Sequence, residues 1–207
     1  METASGQRIL GLIDLHRKYF LVVIGLCLLA GLGYHIVGAT FILTKAWLSQ
    51  GLLEHAYAET KRTGGVVKPW PWADIRVAAR LEFKRQNITR IVLSGHHGEA
   101  LAFAPGMVTI NPGSTSVSVI SAHRDTHFAF LKDILIGDVF ELEVLGQGRR
   151  QYQVQEEWLL DAKTARIHAT NTHAVLLSTC LPDNEMTGLM QPRRVLVGLP
   201  MQGVHGG

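Results

Sequence analysis

The chain is short of cysteine and of charge. Two cysteines in 207 residues exclude a disulfide-stapled scaffold. Only 18% of the residues are charged, against about 25% in an ordinary soluble domain. With 47% hydrophobic residues and a mean hydropathy of +0.15, the chain lacks the composition of a disordered protein. Neither sign of charge dominates. Lys and Arg number 20 against 17 Asp and Glu, too small an excess to argue for nucleic acid, and the pI near 9.0 rests on those few charges. There is no internal repeat, no low-complexity tract and no Cys-x-x-Cys pair. The length leaves room for one ordinary domain and something smaller.

What the chain does have is one long apolar run. The 26 residues from Tyr19 to Thr44 carry no formal charge, so all 37 charged residues fall among the other 181, about one in five. As a helix, Phe20 to Leu43 would extend about 36 Å, enough to cross a hydrocarbon core of about 30 Å with some tilt. Three readings compete: a transmembrane anchor, a cleaved signal peptide ending near Val37-Gly38-Ala39, and a buried core helix. Phe41-Ile42-Leu43 continue the run past the cleavage site, and core helices seldom go so long without charge, so the anchor is preferred. Arg17 and Lys18 at its edge favour an N-terminus left in the cytoplasm, with the main domain outside.

Between Lys45 and Lys61, Trp47, Leu48, Leu52, Leu53 and Tyr57 form a rough helical stripe. This amphipathic segment is expected to pack on the domain or to rest at the membrane surface, with packing the simpler option. Thr63-Gly64-Gly65 ends it, and Lys68-Pro69-Trp70-Pro71-Trp72 is an extended entry. The expected organisation is a cytoplasmic N-terminus over 1–18, an anchor over 19–44, an amphipathic helical linker over 45–65 and a β-rich domain over 66–207.

Beyond Gly65, short apolar runs alternate with turn signals. Expected strands are Ile91-Val92-Leu93, Ala100 to Phe103, Val117 to Ile120, Phe140 to Val144, Tyr152 to Val154, Val175 to Leu177 and Val195 to Val197. Pro105-Gly106 and Asn111-Pro112-Gly113 read as turns, and Gly146-Gln147-Gly148 as a hairpin. One helix is expected over Phe128 to Ile136, closed by Gly137. Seven or so strands in about 140 residues suit a sandwich or a small barrel.

Cys27 lies inside the apolar run, where a small hydrophobe is explanation enough. Cys180 stands alone in the domain, at the end of the strand Leu176-Leu177-Ser178-Thr179-Cys180, where the chain turns out at Pro182-Asp183-Asn184. Strand ends entering loops are where rigid scaffolds present reactive groups, and a nucleophilic thiol needs a base that is usually distant in sequence. His123 also follows a strand directly, within Ser121-Ala122-His123-Arg124-Asp125-Thr126-His127-Phe128. Taken alone it reads as a surface histidine. His127 sits at the expected helix start, and Asp125 reads as a turn or N-cap residue. Arg193-Arg194 precede Val195-Leu196-Val197, and a guanidinium there suits an oxyanion or a substrate carbonyl, although an isolated Arg pair is ordinary surface. A metal module built from His96, His97, His123, His127 and Cys180 is a rival. Adjacent His96 and His97 would face opposite sides of a strand, and His123 and His127 are four apart across a turn, so zinc spacing is not met.

Strand–S-A-H-R-D-T-H-F, then L-L-S-T-C at a strand end, then R-V-L-V resembles the sortases, the cysteine transpeptidases. The Trp70-Pro71-Trp72-Ala73-Asp74 entry, Leu101 to Gly106 and H-R-D-T-H-F are similar to the single-anchor sortases of Gram-negative bacteria. The resemblance covers about Trp47 to Leu199. It departs from the family pattern at Leu176, where Thr is usual, and at Ala122, where Gly is more usual. It implies a mostly β fold, a closed β-barrel with one or two short helices preceded by a transmembrane helix. It implies Cys180 as nucleophile, His123 as general acid and base, and Arg194 as oxyanion or substrate stabiliser, chosen over Arg193 because the family's Arg immediately precedes the aliphatic strand. No metal or organic cofactor is implied. The implied partners are an exported protein with a C-terminal sorting motif of the L-P-x-T-G kind and an acceptor amine, with the enzyme single-pass in the inner membrane and its domain on the periplasmic side. The rivals are another envelope cysteine acyltransferase, such as an L,D-transpeptidase, whose S-H-G-C motif is absent here, and a non-catalytic membrane-tethered β module.

Overall fold

A computed structural model describes residues 21, 23–34, 48–95, 98–110, 115–166, 173–181 and 192–201. The chain divides into two compact units, Met1–Leu48 and Ser49–Gly207. In the first, residues 23–34 are helical and their leucines are exposed. No helix among the described residues is long and apolar enough to cross a membrane. Most of the apolar run 19–44 lies outside the described residues.

The second unit opens on helical residues, 49–63. Leu53, Ala56 and Tyr57, at i, i+3 and i+4, are buried against Val77, Ile91, Leu93, Ala100 and Ala104 in a satellite core, the spacing that puts side chains on one helix face. The amphipathic segment therefore packs on the domain. Its polar side is tied down as well. Gln50 Nε2 donates to the Phe103 carbonyl at 2.7 Å, and Lys61 Nζ to Glu143 Oε1 at 2.6 Å. Gly64, at φ +71°, takes the left-handed turn that stops the helix.

Eight strands follow: β1 Val77–Phe83, β2 Ile88–Ser94, β3 Gly106–Ile110, β4 Val117–Ser121, β5 Val139–Val144, β6 Gly148–Asp161, β7 Ala174–Cys180 and β8 Pro192–Pro200. They close into a barrel in the order β1-β2-β3-β4-β7-β8-β6-β5. Closure removes the exposed strand edges that an open sheet must protect. The expected β-barrel is the observed one. β1 escaped sequence reading, because Ala, Arg and Glu are poor strand formers; only its alternating burial reveals the period of a strand. The run Ala100 to Phe103 is not a strand. Gly98–Leu101 form a short helix, and the strand begins at Gly106, expected as a turn. The expected helix Phe128 to Ile136 shrinks to a 310 turn over Ala129–Asp133, with Ile134 already extended. Asn111-Pro112-Gly113 lie outside the described residues.

The 310 turn is short because its aromatics plug the barrel. Phe128 and Phe130 are buried and meet edge-on at 5.8 Å. Phe130 meets Phe83 at 5.4 Å, Phe83 stacks on Phe140 at 5.1 Å, and Phe140 on Tyr152 at 5.4 Å. The turn that leaves this plug is held by Asp138, which accepts from the Leu135 N–H and from Gln86 Nε2, both at 3.0 Å, and pairs with Arg85. Burial alone would raise the Asp138 carboxyl; these bonds outweigh it and hold it below the ordinary carboxylate range, as expected for a carboxylate with several donors. On β5, Glu141 is buried although it points away from the core. Lys84, Arg149 and Gln151 surround its carboxylate at 2.6–3.0 Å.

Gly198 shows how tightly β8 closes on this stack. A Cβ there would stand 2.4 Å from Phe140 Cζ and 2.6 Å from its Cε1, against a ring wedged between Phe83 and Tyr152. Gly198→Ala should therefore cost about 1–3 kcal/mol, the usual range for overpacking a filled core. A urea titration checks this: the midpoint should fall with little change in slope, and an unchanged midpoint would mean that the β8–Phe140 contact is looser than described.

Candidate active site

Two distant segments meet because β4 and β7 run parallel. Their register pairs Ser121 with Ser178, so the residues two further along, His123 and Cys180, emerge at the same level and the same end of the barrel. Parallel neighbours need a long crossover, which is why 57 positions separate the pair in sequence. The junction is pinned twice. The Ala122 N–H donates to the Ser178 carbonyl at 3.3 Å, and Thr179 Oγ1 donates to the Ala122 carbonyl at 3.1 Å. β7 is buried from Ala174 to Thr179 and opens to solvent only at Cys180, so a rigid strand presents an accessible thiol.

His123 and Cys180 line one cavity of about 540 Å³. The arginine that joins them there is Arg193. β8 runs antiparallel to β7 with Cys180 opposite Arg193 and Thr179 opposite Arg194. Side chains alternate along a strand: Val195 and Val197 belong to an outer cluster with Leu176, Leu196 to the barrel core. Arg193 thus shares the face of Cys180, and Arg194 the opposite face.

Arg194 does not line that cavity, and its guanidinium is engaged elsewhere. It binds Glu157 bidentately, Nε to Oε1 at 2.6 Å and Nη2 to Oε2 at 2.9 Å, and donates to the carbonyls of Leu131 and, at 3.2 Å, Ile134. It lowers the Glu157 pKa through the side-chain hydrogen bond. Of the two arginines, Arg193 lines the cavity that holds both His123 and Cys180, whereas Arg194, the one expected there, borders a second cavity with Cys180 but without His123. The rule that the residue next to the aliphatic stretch is the one wanted ignores the phase of the alternation. That phase was open to reading, because Arg193, Val195 and Val197 share one parity and Arg194, Leu196 and Gly198 the other. Ser178, on the cavity wall, was missed for want of any local signal.

The remaining residues of the His123 segment serve the scaffold. The Phe128 N–H closes the turn onto the His123 carbonyl at 3.1 Å. His127 is held by Ala102, whose carbonyl lies 3.3 Å from Nε2, and by Arg90, which donates to its carbonyl at 3.4 Å. Burial pushes the His127 pKa down, which favours the neutral ring. Asp125 accepts from Arg124 Nε at 2.8 Å, which lowers its pKa. Among the described residues no three His, Cys, Asp or Glu side chains cluster as a metal site; His96 and His97 lie outside them.

Apart from Ser121 and Ser178 the rest of the cavity wall is apolar, with Val108 and Ile110 of β3, Val119 of β4, Leu160 of β6, Leu176 of β7 and Val195 of β8 among its residues. Such a surface is suited to apolar side chains, with the thiol, the imidazole and the guanidinium as charged or reactive groups on its wall. An accessible Cys with a His and a cation at convergent strand ends suits covalent acyl transfer.

A family model for the sortase domain matches residues 81–199, more than half of the chain and all eight strands except the start of β1 and the last residue of β8. The chain belongs to the sortase family. It is accordingly a cysteine transpeptidase. No curated protein matches it significantly. Among solved structures, it is similar to Streptococcus agalactiae sortase C1 in complex with MTSET, with 24% identity, 62% of this chain and 69% of that one covered, and a TM-score of 0.52. The lid mutant of the same sortase C1 gives 22% identity, coverage of 77% and 92%, and a TM-score of 0.54. Sortase C1 from Streptococcus suis gives 19%, 62% and 75%, and 0.53. At these identities the likeness is one of fold.

Proposed function

We propose that this sortase cuts a C-terminal sorting motif of the L-P-x-T-G kind in an exported protein and transfers the new carboxyl end to an amine. The observation that carries the reading is the strand register that brings His123, Cys180 and Arg193 to one apolar cavity. The Cys180 thiolate adds to the carbonyl carbon of the motif's threonine. His123 gives a proton to the leaving nitrogen, the C–N bond breaks, and a thioacyl-enzyme remains. An amine then gives its proton to His123 and adds to the thioester, a new amide forms, and the C–S bond breaks to return the thiolate. One difficult amide exchange becomes two easier ones. Arg193 faces the carbonyl oxygen as negative charge builds there. The residues of the site need no metal or organic cofactor for these steps.

The same proposal places residues 19–44 in the inner membrane as a single anchor, with the barrel on the periplasmic side, as in the single-anchor sortases of Gram-negative bacteria that the H-R-D-T-H-F segment resembles. Its support is the 26-residue run without formal charge and the helix and exposed leucines of residues 23–34. An anchor confines the enzyme and a membrane-held substrate to one surface and raises their effective concentration.

The test is a library of quenched fluorescent peptides carrying L-P-x-T-G variants, with products sized by mass. Cleavage after the threonine by the full chain is expected, with a mixed carboxylate and amide product when an amine is supplied. Cleavage at unrelated bonds, or none across the library, would reject the proposed substrate. Within the same assay Arg193→Ala should lower kcat/KM by about 10²–10³, the usual cost of losing one donor to a developing oxyanion. Arg194→Ala should act mainly on the melting temperature, since it unties β8 from Glu157 and the 310 turn. A larger loss of activity in Arg194→Ala than in Arg193→Ala would reverse this assignment.

A further inference from the structure

At the end of the barrel away from Cys180 lies a cavity of about 290 Å³ that the proposed reaction does not use. β7 begins on its wall at Ala174 and ends at Cys180, about 20 Å away. Its polar wall is formed by Thr109 of β3, Ser116 and Ser118 at β4, Arg150 and Tyr152 of β6, and His173 just ahead of β7. Leu142 and Val144 of β5 are its apolar side. We propose that this cavity binds a small phosphate monoester, with Arg150 as its main anchor.

Arg150 stands on the inner face of the barrel. It lies opposite Leu142, as Tyr152 lies opposite Phe140, and those three neighbours all belong to the barrel core. Among the described residues no carboxylate pairs with Arg150, whereas Arg149, on the outer face, pairs with both Glu141 and Glu143. No Asp or Glu lines the cavity, and the segments 111–116, 145–147, 162–173 and 201–207 contain none. A charged side chain that faces an interior is normally paired. Arg150 is exposed at the mouth, so water solvates it and its charge is open to a ligand.

The other polar groups surround that charge. Arg150 hydrogen-bonds the Tyr152 hydroxyl. Thr109 Oγ1 and Ser118 Oγ share one bond at 3.1 Å, which leaves one of the two hydroxyl protons to donate elsewhere. The Ser116 N–H donates to His173 Nδ1 at 3.1 Å, and Ser116 Oγ lies 2.9 Å from the same nitrogen. Nδ1 therefore offers a lone pair, and the ring proton sits on Nε2 as a further donor. A planar carboxylate is satisfied by one guanidinium fork. Donors arriving from β3, β4, β6 and the residue ahead of β7 suit a tetrahedral group with three terminal oxygens instead. The volume lies at the small end of ligand cavities, room for a phosphate on a short carbon chain.

The test is calorimetric titration of the full chain, held in nonionic detergent, with glycerol 3-phosphate in a buffer free of other oxyanions. Wild type should bind saturably. Arg150→Ala should weaken binding about tenfold or more, the scale of a hydrogen bond to a charged group. Arg150→Lys keeps the charge and loses the fork, so it should fall between the two. Lys68→Ala removes an exposed cation elsewhere and should bind as wild type does. Absence of saturable binding by wild type overturns the proposal, as does equal binding by wild type and Arg150→Ala. If Arg150→Ala does not fold, Arg150→Lys and Ser118→Ala decide: wild-type affinity in both overturns it. Two further titrants check the class of ligand. Glycerate should bind more weakly than the phosphate, and equal binding would reject the tetrahedral group. The diester glycerophosphoglycerol, the head of an anionic lipid, should also bind more weakly, and tighter binding would reject the monoester. None of these titrations depends on peptide cleavage, so failure here and failure of the transpeptidase reading are told apart.

Discussion

Cys180→Ala is expected to lower peptide cleavage by at least about 10⁴-fold, to the level of uncatalysed background, because without sulfur no acyl-enzyme forms and the remaining donors only position the peptide. Folding should survive. Cys180 is the one exposed position of β7, and the substitution leaves no buried group unpaired, so melting should move by well under the loss seen for a core residue. Initial rates at saturating enzyme, alongside a melting curve, separate the two effects. Activity within tenfold of wild type would remove the nucleophile from the account.

His123→Ala is expected to lower kcat by about 10²–10⁴, the contribution of a positioned general acid–base group. The amine leaving in the first step is a poor leaving group until it is protonated, and the incoming amine of the second step must shed a proton. Both half-reactions should therefore slow, which single-turnover measurements with and without an added amine can show. His127→Ala offers the contrast. Its ring is half-buried against the Ala102 carbonyl and lines neither cavity that contains Cys180, so its loss should fall on stability first. If His127→Ala slows acyl-enzyme formation more than His123→Ala, the roles are exchanged.

The strand ends at Ile120 and Cys180 were visible in the sequence because each is an apolar run broken by polar and turn residues, and a half-buried strand leaves that trace. Their pairing was not visible. Nothing local in Val117–Ser121 or Ala174–Cys180 encodes that the two strands lie parallel with Ser121 beside Ser178; that is set by closing the whole barrel. Which of the two arginines shares a cavity with both His123 and Cys180 was hidden for a related reason. A one-residue step reverses the face of a strand, and the phase of β8 is fixed by Gly198 and Leu196 facing the core. The helix expected after Phe128 and the strand expected at Ala100 failed where short apolar runs leave helix and strand ambiguous. In the first case Phe128 and Phe130, two apart, both turn into the barrel, a demand that an α-helix does not meet.

The most direct measurement of the central claim is the intact mass of the enzyme during turnover. With a cleaved sorting-motif peptide and no acceptor, wild type should gain the mass of the peptide's N-terminal fragment, mapped by proteolysis to Cys180 and released by hydroxylamine as a thioester would be. His123→Ala should accumulate the adduct slowly, and Cys180→Ala not at all. Amide product formed by an enzyme that never carries this adduct, at a rate that Cys180→Ala preserves, would contradict the account.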